Sequence, residues 1–257
     1  MNKGIFYLSF AYFFTTRLVS PLKMLSWIAI YPVPILIAIV LFTGDLSWEI
    51  ILTAILGMCA TYTLYELGYL QNDASTIIKE KNPTIRLEPS AILYVRNRWI
   101  GILVCRLFLC GILVALIRQF NPAGFEVFLM SLLIIALTFL IYNELRSWIN
   151  VPLHFLLVCG RFCGPALLII PDPAFLAYLV FIFPLINLLE RGAEPRYNLS
   201  WLQDHVLSNQ TSGRWIYYLV ISITWPIICM LFSFNLVTTL IFVYLFFYRL
   251  ISPALLR

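Results

Sequence analysis

Charge is what this chain has least of. Asp, Glu, Lys and Arg make up 11% of its 257 residues, too few to cover a water-exposed surface, which excludes an ordinary soluble domain. Histidine is nearly absent. With only His154 and His205 present, a histidine-built metal site or histidine-based catalysis has little to draw on. No GxSxG, HExxH or Walker pattern occurs, which removes the common hydrolase, metalloprotease and nucleotide-binding plans. The cysteines form no CxxC pair and all lie inside apolar runs, where they read as small packing residues. Residues 1–14 contain no small-residue cleavage site, so no cleaved leader is expected.

What the chain has in abundance is apolar length. Hydrophobic residues account for 62% of it, in runs close to the roughly 20 residues that one bilayer crossing needs. Such runs are too long and uniform for barrel strands, and a backbone in lipid must satisfy its own hydrogen bonds. The expected fold is therefore all-α, a polytopic membrane helical bundle forming a single domain over residues 1–257. About eight crossings are expected, at roughly 24–43, 47–70, 99–117, 125–143, 150–170, 173–189, 214–232 and 235–251. Residues 4–16 are expected to form a short interfacial helix. Lys and Arg between the runs collect on one side, with Arg118 alone opposite and Arg106 and Arg161 inside runs. By the positive-inside rule, both termini and the polar loops near 71–98, 144–149 and 190–213 face the cytoplasm. The net charge of +5 then reports topology, and no nucleic-acid partner is expected.

The polar residues that remain are not scattered. If the second run continues as a helix, Glu66, Tyr69, Asp73, Thr76 and Glu80 recur every three or four residues and share one face. Ionisable groups at membrane depth normally face a bundle interior or a wet cavity; a solvated helix end with paired charges is the alternative. A second set, Asn187, Glu190 and Glu194 with Arg191 and Arg196 close by, closes the sixth run on the same side. Two acidic helix ends facing one cytoplasmic cavity would suit Mg²⁺, a hard cation that binds carboxylates jointly with ligand phosphates. Lys79, Lys81, Arg86, Arg146 and Arg191 would hold the remaining phosphate charge. Together they point to a diphosphate ligand. His154 lies mid-run and can hydrogen-bond across helices or touch a substrate; His205 reads as solvated.

These residues resemble the motifs of the UbiA superfamily of intramembrane prenyltransferases. "GYLQNDASTIIKE" is similar to its first aspartate-rich motif, NDxxDxxxD, with Asn72, Asp73 and Glu80 in place and Thr76 where the middle aspartate normally stands. "YNELR", residues 142–146, resembles its Tyr-x-x-x-(x)-Lys element, "GRFCG" with Arg161 its Arg-x-x-x-Gly, and "ERGAE" its second acidic motif, DxxxD, here Glu190 and Glu194. The resemblance covers about residues 15–200. Within the superfamily, "KNPTIR" and the Arg191 and Glu194 of "ERGAE" are similar to segments of the branch that moves 5-phosphoribose onto a polyprenyl phosphate. That family usually has nine crossings, one more than is read here.

The resemblance implies a Mg²⁺-dependent transferase with phosphoribosyl diphosphate as donor and polyprenyl phosphate as acceptor. Asp73, Glu80 and Glu194 would hold the metal with Glu190 and Asn72 assisting; Lys81, Arg86, Arg146, Arg161 and Arg191 would bind substrate; Tyr142 would orient a diphosphate or acceptor group. Prenyl transfer from a prenyl diphosphate to an aromatic or other small acceptor is the first alternative. A lipid transporter or flippase without covalent chemistry is the second, although transporters tend to bind near the midplane between inverted repeats, and no such repeat is evident.

Overall fold

A computed structural model describes residues 2–79, 83–145, 147–197, 199–207, 210–232 and 234–255. Among them every regular element is helical. The chain opens with a turn of 3₁₀ helix at Lys3–Phe6 and the short helix α1 (Ala11–Arg17). Phe6, Tyr12 and Phe13 are buried while most of their neighbours are not, so this segment packs one side against the bundle. α2 (Pro21–Ile30) starts where Ser20 accepts a hydrogen bond from the Lys23 amide and Pro21 occupies the first turn. The chain kinks at Tyr31, before Pro32, and continues as α3 (Pro32–Thr43) until Gly44, at φ 69°, ends it.

α4 (Trp48–Ala74) is the central helix. Its 27 residues span about 40 Å at 1.5 Å per residue, more than the roughly 30 Å of a hydrocarbon core, so its polar last turn with Asn72 and Asp73 reaches past the apolar layer. After α5 (Pro89–Asn97), α6 (Trp99–Gln119) and α7 (Phe125–Glu144) pack beside it, followed by α8 (Asn150–Leu167). Close approach is bought by missing side chains: a Cβ on Gly68 of α4 would enter the Phe139 ring of α7. On α8, Cβ atoms at Gly160 and Gly164 would lie 2.6 Å from Ile135 and 2.7 Å from Ser131. α9 (Pro173–Ile182) is capped by Asp172, whose carboxylate accepts from the Ala174 and Phe175 amides. It bends by 50° into α10 (Pro184–Gly192), where Pro184 cannot donate. α11 (Ser200–Leu202) leads to the hairpin of α12 (Gln210–Phe232) and α13 (Thr239–Leu255). One apolar cluster including Tyr31, Ile35, Met58, Phe162, Tyr178 and Trp225 joins α3, α4, α8, α9 and α12.

Among the described residues, six segments are long and apolar enough to cross a membrane: Pro21–Thr43, Trp48–Ala74, Trp99–Gln119, Phe125–Glu144, Thr211–Phe232 and Leu236–Pro253. The bent pair α9 and α10 makes a seventh if taken as one span. The remaining expected crossing, 150–170, does form helix α8, but Asn150, His154 and Arg161 dilute its apolar character. This is a helical, multi-pass membrane protein. Outward faces agree: Ile100, Val104 and Phe108 on α6 and Ile223, Ile227 and Met230 on α12 recur every three or four residues and are more than half exposed.

Candidate functional site

The site is built around the end of α4, and its foundation is a buried ion pair. Arg106 of α6 and Glu66 of α4 are both fully buried, with Nη1 2.7 Å from Oε2. A buried charge must be both paired and hydrogen-bonded. Arg106 donates further to the Phe6, Leu8 and Thr63 carbonyls, and Glu66 Oε1 accepts from the Phe13 amide at 2.6 Å. The pair thus pins the N-terminal segment against α4 and α6. Glu66, expected on the ligand-facing stripe, is turned away from it to serve this clasp.

Pinning the segment delivers α1 to the end of α4. There Asp73, with no exposed side-chain surface, accepts from the Tyr12 hydroxyl at 2.6 Å and from Arg17 Nη2 at 3.0 Å on one oxygen. Its other oxygen receives Arg86 Nη1 at 3.4 Å and Asn72 Nδ2 at 3.3 Å. Burial and the adjacent carboxylate push the Tyr12 hydroxyl well above the ordinary tyrosine range, so it stays a donor to Asp73. Arg17 also stacks on the Tyr69 ring, 3.8 Å from its centre. Asp73 is therefore the anchor that aims two guanidinium groups.

The opposite wall comes from α7, α8 and α10. Arg191 binds both the Tyr142 hydroxyl and the Glu194 carboxylate. Buried Asn143 donates to the Gly68 carbonyl and to Gln71 Oε1, both at 3.0 Å, tying α7 to α4. Between the two walls lies a cavity of about 520 Å³. Its polar lining, Arg17, Arg86, Asn72, Thr84, Arg191 and Glu194, includes the exposed Thr84 and Arg86 and forms the mouth; its aromatic and apolar lining, Tyr65, Tyr69, Phe139, Tyr142, His154 and Leu157, includes the buried Tyr65, Phe139 and Leu157 and forms the inner end. Beneath the aromatic end, Arg161 donates to the Tyr69 hydroxyl at 3.3 Å and sits 4.9 Å from the Tyr65 ring centre, with its Nε buried and unpartnered.

Of the residues expected from sequence, Asn72, Arg86, Tyr142, Arg191 and Glu194 line this one cavity. Asp73 stands directly behind it and Arg161 below it. Glu190 is elsewhere, bound by Arg214 of α12. Lys79 pairs with Glu144 at 2.6 Å on the surface. Glu80, Lys81 and Arg146 lie outside the described residues. Sequence reading missed Arg17, Tyr12, Asn143, Tyr65, Phe139 and Leu157; the one available signal was that Arg17 ends an aromatic stretch, "YFFTTR".

The expected Mg²⁺ would need several free carboxylate oxygens. Among the described residues, no three His, Cys, Asp or Glu side chains are close enough to hold a metal. Asp73 already accepts four hydrogen bonds from Tyr12, Arg17, Arg86 and Asn72, and Glu190 is committed to Arg214. The described carboxylates do not by themselves fit a resident Mg²⁺. Three arginines stand against two carboxylates, Asp73 paired with Arg17 and Arg86 and Glu194 paired with Arg191, so the mouth keeps a net positive charge, a setting for an anion. No protein-family model, curated protein or solved structure matches the chain.

Proposed function

We propose that this protein is an intramembrane transferase of the UbiA type that moves a 5-phosphoribosyl group from phosphoribosyl diphosphate to a polyprenyl phosphate, working at the cytoplasmic face. The observation that carries the reading is the convergence of Arg17, Arg86 and Arg191 on one half-aromatic cavity. Arginine forks match phosphate oxygens two at a time, and Asp73 and Glu194 hold the three of them in place while leaving a net positive charge for a diphosphate. The motif resemblance and the uneven Lys and Arg distribution support the same assignment and orientation.

The chemistry then needs no nucleophilic side chain. The bond between the anomeric carbon and the diphosphate oxygen breaks, and its electron pair leaves with the diphosphate. Arg17, Arg86 and Arg191 meet the charge growing on that leaving group. A phosphate oxygen of the acceptor forms the new carbon–oxygen bond; it is already anionic, so no general base is required. Asp73 and Glu194 are positioning residues that hold the arginines, and the Tyr142 hydroxyl, bound to Arg191, orients the group that enters. Charge neutralisation falls to these side chains.

A second reading, prenyl transfer to a small acceptor, draws on the inner wall of Tyr65, Tyr69, Phe139 and Leu157, whose aromatic faces suit an isoprenoid tail or a carbocation. Purified protein incubated with polyprenyl phosphate and radiolabelled phosphoribosyl diphosphate, then extracted into organic solvent, separates the two. Label in the lipid phase that disappears in Arg191→Gln supports phosphoribosyl transfer. Label appearing only from a prenyl diphosphate donor replaces it with the second reading, and no transfer from either donor refutes both.

A further inference from the structure

A smaller cavity sits apart from this site, between the ends of α12 and α13. It measures about 140 Å³ and is lined by Thr211, Arg214, Arg249, Ser252 and Pro253. At about 30 Å³ per water it has room for a phosphoryl group with a water or two, and it is too small for a diphosphate donor with its substituent. Its two arginines are in different states. Arg214 spends its charge on Glu190, with Nη2 3.0 Å from Oε2. Arg249 makes no ion pair among the described residues: the Tyr248 ring lies 5.8 Å away, Glu190 and Tyr218 act on it only from beyond ion-pair distance, and its Nε is buried without a hydrogen-bond partner.

A guanidinium with a buried donor unused, a hydroxyl one turn along the same helix and its nearest carboxylate, Glu190, already held by Arg214 has room for an acceptor. Ser252 is 6% exposed and supplies that hydroxyl. Depth says which acceptor. Thr211 opens one span and Pro253 closes the next, so the cavity lies where the hydrocarbon core gives way to headgroups. The flanks running away from it are apolar and exposed: Ile216, Val220 and Ile223 on α12, Phe247, Leu250 and Ile251 on α13. Basic pockets of this kind between membrane helices suit anionic headgroups.

We propose that the α12–α13 cavity is a binding site for a phosphate monoester, held by Arg249 and Ser252, whose usual source is an anionic lipid with its chains along α12 and α13. This site is independent of the transferase reading. Native mass spectrometry of the full-length protein, titrated with phosphatidic acid or phosphatidylcholine, tests it, with inorganic phosphate added in a parallel thermal-shift series. The expected result is preferential retention of phosphatidic acid that falls at least about fivefold in Arg249→Gln, one charge's worth at a lipid surface. Arg118→Gln, which removes an exposed arginine on α6, should change nothing. Ser252→Val fills the cavity while leaving both arginines and gives the same reading if Arg249→Gln folds poorly. Protection by inorganic phosphate that is lost in either cavity variant, without phosphatidic acid preference, keeps the site and assigns it a soluble ligand. Wild-type retention of phosphatidic acid in both variants, or equal loss in Arg118→Gln, overturns the proposal.

Discussion

Replacing Arg17 with Gln probes the cavity at a residue that joins the N-terminal segment to the end of α4. Arg17 lies 3.0 Å from Asp73 and 3.8 Å from the Tyr69 ring centre. A hydrogen bond between charged groups contributes about 1.5–3 kcal/mol, and a cation over an aromatic face about 0.5–2 kcal/mol. The side chain is 17% exposed, so water screens both contacts and the low end applies, about 2 kcal/mol in total. For a chain of this size that lowers the melting temperature by roughly 4–8 °C. The second consequence concerns ligand. Losing one of three guanidiniums around a diphosphate removes about 1.5–3 kcal/mol of charged hydrogen bonding, or roughly 10- to 150-fold in affinity. Equilibrium binding of radiolabelled pyrophosphate to the detergent-purified protein reads this directly. Arg17→Lys should fall between, since it keeps the charge but loses the fork and the stacking. If Arg17→Gln melts lower yet binds pyrophosphate within about twofold of wild type, Arg17 is a brace and the reasoning about the mouth is refuted.

Other expectations follow from the same geometry. Arg106→Met leaves Glu66 buried without its partner and should lower stability by about 3–5 kcal/mol; a melting temperature equal to wild type would mean that the N-terminal segment is held some other way. Gly68→Ala drives a methyl group into the Phe139 ring and should destabilise by about 1–3 kcal/mol, with Phe139→Leu in the same chain recovering part of the loss; no recovery would place the strain elsewhere. Tyr12→Phe removes a donor to buried Asp73 and should cost about 1–3 kcal/mol near neutral pH. Because the folded-state pKa of Tyr12 is raised, its contribution is complete below about pH 10, the ordinary tyrosine value. It is lost as pH rises further and the unfolded chain ionises while the folded one does not, so the gap between Tyr12→Phe and wild type should narrow in alkaline melts. A constant gap would show that the hydroxyl is not held neutral.

The spans were legible because crossing a bilayer demands a run that few other folds contain. Six of the expected crossings reappear as helices long and apolar enough to span. The other two are helical but fall short of a straight apolar span for local reasons. Pro184 breaks 173–189 into α9 and α10, and the polar Asn150, His154 and Arg161 make α8 a helix of mixed character. The candidate site was half legible. Helical spacing put Tyr69 on the face that lines the cavity, since neighbours on a face are fixed by 3.6 residues per turn, whereas Asn72 was singled out only by the motif resemblance. It could not show that Glu66 on that face turns to Arg106, 40 residues later, or that Asp73 is claimed by Arg17, 56 residues earlier. Ion pairs between helices depend on how the helices pack, which periodicity within one helix does not encode. The same holds for Glu190: its spacing from Glu194 suggested one acidic end, whereas Arg214 of α12 draws it to the other side.

The most direct test of the central claim is a structure of the purified protein with pyrophosphate bound, by electron cryomicroscopy in a nanodisc. The account predicts density for the diphosphate inside the 520 Å³ cavity, with Arg17, Arg86 and Arg191 each within hydrogen-bonding distance of a phosphate oxygen. An empty cavity at saturating pyrophosphate, or a diphosphate bound away from these three arginines, would contradict it.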